Sequence, residues 1–393
     1  MRLSPATVTL AACLLATTAQ AAEPVRITVI ADLDDDIYDA RAGRGGVDAT
    51  RMAVEDFGGT VLGRPIAVDA LNDHNKPAEA PGLATQAIDA GASLLMDVQN
   101  SPIAMAVAKV ATERHVIAIT TGAAVPALTR GSCTKYAYHY SFDSIAIETA
   151  TAAYITAQPN GKTWAAIVAD AGFGKGALAT MTPVVEAHGG TMAKSFIVPP
   201  KETNLDAIFT ELKTLKPQVV AILNAGADND HQVTAANKAG LSAQLTTGLL
   251  YLSDVDRVQD GYANVIAAVP WYWNLDAAAR AWSDRFAATH GGKRPTASEA
   301  ADYSATTQWL EAVKTAGTTD ADAVVKALDG HRFTDMFARN AEFRANDHMV
   351  IHDLYIAKVR PAAQLPEPHA WYDVLATIPA ADAFPATTAC KFP

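Results

Sequence analysis

Five carboxylates crowd eight positions near the start of the chain: Asp32, Asp34, Asp35, Asp36 and Asp39. Several oxygens converging in one loop are what a hard cation needs. The stretch lacks the mid-loop Gly and distal Glu of an EF-hand in register. A solvated acidic loop is the other reading, because acids this close repel unless water or a positive group intervenes. Enzyme chemistry finds less support. Gly172-Phe173-Gly174-Lys175-Gly176 is glycine-rich but lacks the length and final Ser/Thr of a phosphate loop, and it misses the dinucleotide spacing. No Gly-x-Ser-x-Gly elbow or HExxH pair occurs, and Cys133 and Cys390 lack metal-ligand spacing. The chain is expected not to be an enzyme and to need no cofactor.

A second set of residues recurs at regular intervals. It comprises Gln99-Asn100-Ser101-Pro102, Thr121-Gly122-Ala123-Ala124, Asp170-Ala171-Gly172-Phe173-Gly174, Asn224-Ala225-Gly226-Ala227-Asp228 and Tyr251-Leu252-Ser253-Asp254. These are small, hydroxyl and amide residues of the kind found at helix starts. Ordinary capping explains any one of them. Recurrence suggests backbone N–H groups arrayed for an anionic ligand.

The elements that must position these loops alternate. Strands are read at 25–30, 66–70, 94–98 and 116–120, with helices at 47–57, 77–90 and 102–114. The rhythm restarts with helices at 145–157, 176–188, 205–215 and 230–239 and strands at 164–169, 193–198, 219–223, 245–250 and 265–269. Helical patterns follow at 277–289, 298–316 and 321–328, and 348–359 alternates like one long strand. Val54–Val61 and Val185–Met192 echo each other, each closing a helix and opening a strand. Strict alternation implies parallel sheets with helices on both faces. Ligands bind beyond the carboxyl ends of such strands, so the loops above, including Asp32 and Tyr38 after the first strand, are the candidate site.

With 393 residues, half of them hydrophobic, the chain supports two domains and a large core. A net charge of −11 argues against nucleic acid as the main partner. Residues 1–21 carry one charge, Arg2, then an apolar stretch ending Ala19-Gln20-Ala21, so an export signal cleaved after Ala21 is expected. Leu10–Cys13 also fits a lipoprotein box, although the apolar run continues past it. Removal of the signal leaves Cys133 and Cys390 in an oxidising compartment, where a disulfide is the expected pairing and two buried thiols the alternative.

The stretches Gly46–Gly63, Ile119–Thr129, Asp170–Gly176 and Pro295–Thr307 carry a resemblance. Nearly end to end, the mature chain resembles the type I periplasmic solute-binding proteins of ABC importers, in the Leu/Ile/Val-binding-like group. The late cysteine fits a subgroup of that family. The resemblance implies an α/β fold of two doubly wound parallel-sheet lobes joined by a three-crossing hinge. Lobe 1 would take residues 22–140 plus 273–345, and lobe 2 residues 141–272 plus 346–393. The crossings would fall near Tyr138–Asp143, Val269–Trp273 and Phe343–His352, so that Trp271 either stacks on a ligand or packs between lobes. A first-lobe clamp for a ligand carboxylate would fall at Asn100, Ser101, Gly122 and Ala123, beside Thr121. In the second lobe Phe173, Gly226 and Tyr251 would face the ligand.

This chain departs from the family at several points. A Thr common in the amino-acid binders falls at Ala124, and a Tyr falls at Phe173. No acidic partner for an α-ammonium stands out, with Asp228 and Asp254 the candidates. Asp34-Asp35-Asp36 replaces a Ser-Gly stretch. The function implied is the periplasmic substrate-binding component of an importer. It would close on a small organic solute, such as a carboxylate, an amino-acid-like or an aromatic compound, and deliver it to an ABC permease in the inner membrane. A monomer is expected. The alternatives are a binder of a hard metal cation through Asp32–Asp39, or a ligand sensor feeding a membrane receptor.

Overall fold

Strands covered on both faces read as nearly continuous apolar runs, and the first sheet follows that rule. In the computed structural model, which describes residues 22–34, 42–387 and 389–392, this sheet holds β1 (Val25–Ala31), β2 (Thr60–Val61), β3 (Arg64–Asn72), β4 (Ala92–Asp97), β5 (Ile117–Thr120) and β6 (Ala137–His139). Their order is β2-β3-β1-β4-β5-β6, all parallel except β2. The signal segment with Cys13 lies outside the described residues, as do Asp35, Asp36, Tyr38 and Asp39. Ile27, Val29, Leu94 and Met96 belong to the core shared with α1 (Gly43–Asp56). Ile30 and Leu95, one residue out of phase, meet α2 (Ala80–Asp89) and α3 (Ser101–Glu113) on the other face. The period-two alternation of a strand therefore assigns each helix its side.

The second sheet is β7 (Thr163–Ala169), β8 (Thr191–Val198), β9 (Val219–Leu223) and β10 (Gln244–Thr247), ordered β10-β9-β7-β8 and all parallel. Its helices are α4 (Ser144–Ala157), α5 (Gly172–Ala187), α6 (Asp206–Leu215) and α7 (Gly226–Lys238), followed by the short α8 (Leu252–Val258). Trp164, Ala166 and Val168 of β7 pack with Ile155 of α4 and Met181 of α5. Beyond the second sheet come β11 (Ile266–Val269), α9 (Ala277–Thr289), α10 (Ala297–Ala316) and α11 (Ala321–Leu328). The chain here returns to the first lobe, where α10 packs along α1. The last elements are β12 (Arg332–Phe333), β13 (Ala341–Phe343), β14 (Val350–Ile351), β15 (Leu354–Val359), β16 (Tyr372–Ile378) and α12 (Ala380–Ala383). Two doubly wound lobes are thus joined by three passages of the chain.

Several readings of the sequence need correction. Helices α1, α5 and α7 begin about one turn before the apolar periodicity does, at Gly43, Gly172 and Gly226. The 265–269 segment is not a further parallel strand, because β11 pairs antiparallel with β15 in a separate sheet completed by β16. The stretch 348–359 is two strands, broken at His352, whose ring bonds the Asp353 carbonyl at 2.8 Å and the Ser141 carbonyl at 2.6 Å. The strand read at 245–250 ends at Thr247, and α8 and β16 had no clear signal.

Candidate functional site

Each parallel sheet has one point where winding reverses, between β1 and β4 in the first and between β7 and β9 in the second. Ligands of open α/β sheets bind outside the strand ends at such points. The two points face each other across a cavity of about 210 Å³. Gln99, Ser101, Gly122 and Ala124 line it from the first lobe. Phe173, Asn224, Gly226, Leu249, Tyr251 and Asp254 are among its lining from the second.

On the first-lobe wall, α3 starts at Ser101. Asn100 caps it, with Oδ1 accepting from Ile103 N at 3.4 Å, while Nδ2 donates to Asn75 Oδ1 at 2.7 Å. Asn100 therefore stands behind the wall. Thr121 is fully buried, and Ala123 is buried with its carbonyl bonded to the His139 ring at 2.6 Å. Asp32 is buried at the end of β1, its Oδ1 accepting from Asp34 N at 3.1 Å. Asp34, the described remainder of the acidic run, is bonded to Asn72 Nδ2 at 2.7 Å and to the His74 ring. These bonds, the His74 one above all, hold its carboxyl below the usual range. Among the described residues, no group of three His, Cys, Asp or Glu side chains has the arrangement to hold a metal ion.

Gln99, which opens the loop after β4, shapes this wall more than its place in the sequence indicates. A Cβ at Gly122 would stand 1.7 Å from Gln99 Oε1 and 2.2 Å from its Cδ, so the amide fills the space of the absent side chain. Gly122→Ala is expected to push Gln99 out of its buried position. Affinity for the cognate solute should fall roughly 10- to 100-fold, about 1.4–2.8 kcal/mol. Titration calorimetry beside an unchanged circular dichroism spectrum checks this, and unaltered affinity would remove Gln99 from the wall.

The second-lobe wall is built from helix starts. Gly174 fits where any Cβ would meet Ala169 O at 2.6 Å and Leu223 O at 2.7 Å, so it lets α5 enter tightly between the ends of β7 and β9. Helices α5 and α7 begin after Ala171 and Ala225, neither of which caps with a side chain. Helices α4, α9, α10 and α11 are capped by Asp143, Asp276, Thr296 and Asp320. Uncapped N–H groups at a cleft are ready donors for an acceptor brought by a ligand. Asn224 instead spends its Oδ1 on Ala225 N at 2.8 Å. Asp254 is buried and meets Arg257 at 3.1 Å. Asp228 accepts from Lys201 N at 2.9 Å and is not on the cleft lining. Among the described residues the lining contains no Lys, Arg or His.

Behind Phe173 sits Glu148 of α4. It is fully buried and neither carboxyl oxygen has a hydrogen-bond partner. Burial pushes its carboxyl up to about 8, against a smaller opposing pull from Thr180 and with a further push from Asp143. A Cβ at Gly248 would lie 3.2 Å from Phe173 Cζ and 3.8 Å from Glu148 Oε1, so ring and carboxyl flank the same glycine.

Trp271 belongs to a different space. It is buried, its Nε1 donates to Met336 O at 3.0 Å, and its ring meets Trp282 edge-on at 6.0 Å. With Tyr272 and Trp273 it lines an apolar hinge cavity of only about 30 Å³ that shares Leu249 and Tyr251 with the cleft. That is room for about one water, so this cluster packs the hinge. The cleft thus brings together Ser101, Gly122, Phe173, Gly226 and Tyr251, and leaves Asp32, Asn100, Thr121, Ala123 and Trp271 behind its walls.

Two facing lobes with a polar cleft at opposed switch points define a binding protein of the hinged, two-lobe class. The periplasmic binding protein family matches residues 24–364, and the chain belongs to that family. A periplasmic binding protein from Burkholderia mallei is 34% identical, with a TM-score of 0.83 over 93% of this chain and 97% of that one. A branched-chain amino acid ABC transporter periplasmic ligand-binding protein from Burkholderia xenovorans is 27% identical, with a TM-score of 0.88 over 92% and 97%. An ABC transporter solute-binding protein from Rhodopseudomonas palustris, solved with benzoate, shares the fold at 19% identity, with a TM-score of 0.76 over 94% and 100%. No curated protein matches the chain. Members of the family bind small solutes and work with ABC permeases; they are substrate-binding transport proteins.

Proposed function

We propose that this chain is exported with cleavage after Ala21, closes on a small organic solute carrying a carboxylate, and presents the closed form to an inner-membrane permease. The observation that carries this reading is the pair of uncapped helix starts, α5 and α7, facing Ser101 at the start of α3 across one cavity. With no basic side chain among the described lining residues, an anionic group is held by backbone N–H groups and the Ser101 hydroxyl. Phe173, Tyr251 and Leu249 give the rest of the solute an apolar or aromatic surface, consistent with an amino-acid-like or aromatic acid. Closure moves the lobe of residues 22–140 plus 273–345 against that of 141–272 plus 346–393, and bound solute stabilises the closed state.

A thermal-shift screen of branched-chain amino acids, benzoate and hydroxybenzoates, with small-angle scattering on each hit, tests this. A true ligand at a hundredfold its Kd stabilises by about 2.7 kcal/mol, and the same ligand reduces the radius of gyration. A tight ligand that leaves the radius unchanged overturns closure. Binding only by multivalent cations overturns the solute class.

A further inference from the structure

We propose that Asp97 and Asp302 hold one proton between them and act as positioning residues, fixing Gln99 and Thr121 in the first-lobe wall of the cleft. The proposal rests on reading that cleft as the ligand site.

The two carboxyls come from opposite ends of the lobe. Asp97 ends β4, and Asp302 lies on α10, beyond the second passage of the chain. Both are fully buried. Thr121 Oγ stands between them, 2.7 Å from Asp302 Oδ1 and 3.3 Å from Asp97 Oδ1. A hydroxyl has one hydrogen to donate. Thr121 can satisfy one carboxylate; the other contact is attractive only if that carboxyl is protonated and donates to the hydroxyl oxygen. The free Oδ2 atoms also converge, lying 2.7 Å (Asp302) and 2.9 Å (Asp97) from where a Cβ of Gly46 would stand. Two buried charges this close are too costly for both to ionise.

The pair is tied to the cleft. Asp97 Oδ1 accepts from Gln99 Nε2, and Thr121 N donates to the Asp97 carbonyl at 3.1 Å. Gln99 and Gly122, next to Thr121, both line the cavity. The backbone between Asp97 and Gln99 turns through two left-handed residues, Asp97 at φ 74° and Val98 at φ 63°. A β-branched residue rarely adopts that conformation, so side-chain anchors must hold it.

Burial, then the mutual charge, pushes Asp302 far up, and burial does the same to Asp97. Among the described residues, the other groups facing the pair are Asp73 after β3 and Glu299 on α10. Glu299 is already engaged in the capping box with Thr296 and feels Lys293. Arg44 of α1 turns to the Leu33 carbonyl. Among these the Thr121-linked pair alone touches Gln99.

The test follows the Gln99 side-chain amide by ¹⁵N–¹H NMR from pH 6 to 9, assigned by its loss in Gln99→Leu, without any ligand. In the parent protein the amide pair should shift above the ordinary carboxyl range, as the shared proton leaves. Asp302→Asn, isosteric and always neutral, should abolish that shift while the fold is kept. Thr121→Val, which removes the bridge but no charge, should move the midpoint. An amide that is pH-invariant in the parent, or that still shifts in Asp302→Asn as it does in the parent, overturns the proposal. Neither result touches the ligand reading, which the thermal-shift screen decides separately.

Discussion

Replacing Cys133 and Cys390 together by Ser is expected to lower the melting temperature by about 5 °C and to widen the ligand-free protein in small-angle scattering. Cys133 lies between β5 and β6, while Cys390 lies in the tail that follows β16 and α12. Their disulfide closes a sequence separation of 257 residues, with the Cα atoms 5.6 Å apart. Loop-closure entropy for a span this long is worth about 5 kcal/mol in the chain-entropy model. The cross-link also ties the tail that follows α12 back to the segment beside β6. The tail is packed as well as bonded: Phe392 lies 4.1 Å from the His348 ring, which stacks at 4.2 Å on Tyr138 of β6. Cutting the bridge frees that stack to peel away when the cleft opens. The open state should then gain population, and a bound solute should leave faster. Calorimetry and scattering on the oxidised parent and the double variant decide the matter. Equal melting temperatures and equal radii would show that the tail neither stabilises nor tethers.

Element types were legible because the central strands β1, β4, β5, β7 and β9 are buried on both faces and most helices on one, so periodicity reports burial directly. Helices α9 and α11 match their read boundaries for that reason. What periodicity misses lies where a different interaction decides. The glycine starts of α5 and α7 carry no apolar signal, since their role is to bring backbone to the cleft. β11 has the composition of its parallel neighbours, and only its pairing with β15, some ninety residues on, sets its direction. His352 breaks a strand because its ring reaches Ser141, a contact 211 positions away in sequence. The cleft shows the same division. Ser101, Gly122, Phe173, Gly226 and Tyr251 could be placed from strand ends alone. Gln99 falls in the same set of loops, but its particular role is not legible there, because it arises from the void at Gly122 and from Asp97 behind it. Asp302 and Glu148 sit inside helical patterns that read as ordinary amphipathic surface; a charged residue on an otherwise apolar helix face was the available signal.

Buried acids should also set the pH dependence of stability: the protein should be more stable near pH 5 than at pH 8, and Glu148→Gln should reduce the difference. Burial raises the Glu148 carboxyl to about 8, and burial likewise raises Glu299 to about 8. The folded protein therefore keeps protons that the unfolded chain has already released. Stability from such a group is full below its ordinary carboxyl range, declines as pH rises, and levels off above about 8. For one fully buried carboxyl the loss is on the order of 3–5 kcal/mol. Other groups work in the opposite sense at the acid end. Asp56, held low by Arg285, and Asp276, lowered by the Ala279 and Ala278 N–H groups and Arg339, contribute stability that disappears as pH falls through their own depressed range. The two trends leave a maximum on the weakly acid side of neutrality. Glu148 is the informative member because neither oxygen has a partner at full hydrogen-bonding geometry, and Gln removes the ionisation while keeping an oxygen that can accept from Thr180. Urea unfolding of parent and Glu148→Gln at pH 5, 6.5 and 8 measures this. The curves should coincide near pH 5 and separate by about 2 kcal/mol or more at pH 8, with the variant more stable. If the two proteins lose stability in parallel across that range, Glu148 ionises in the folded state at an ordinary pH, and the pocket behind Phe173 must be open to water.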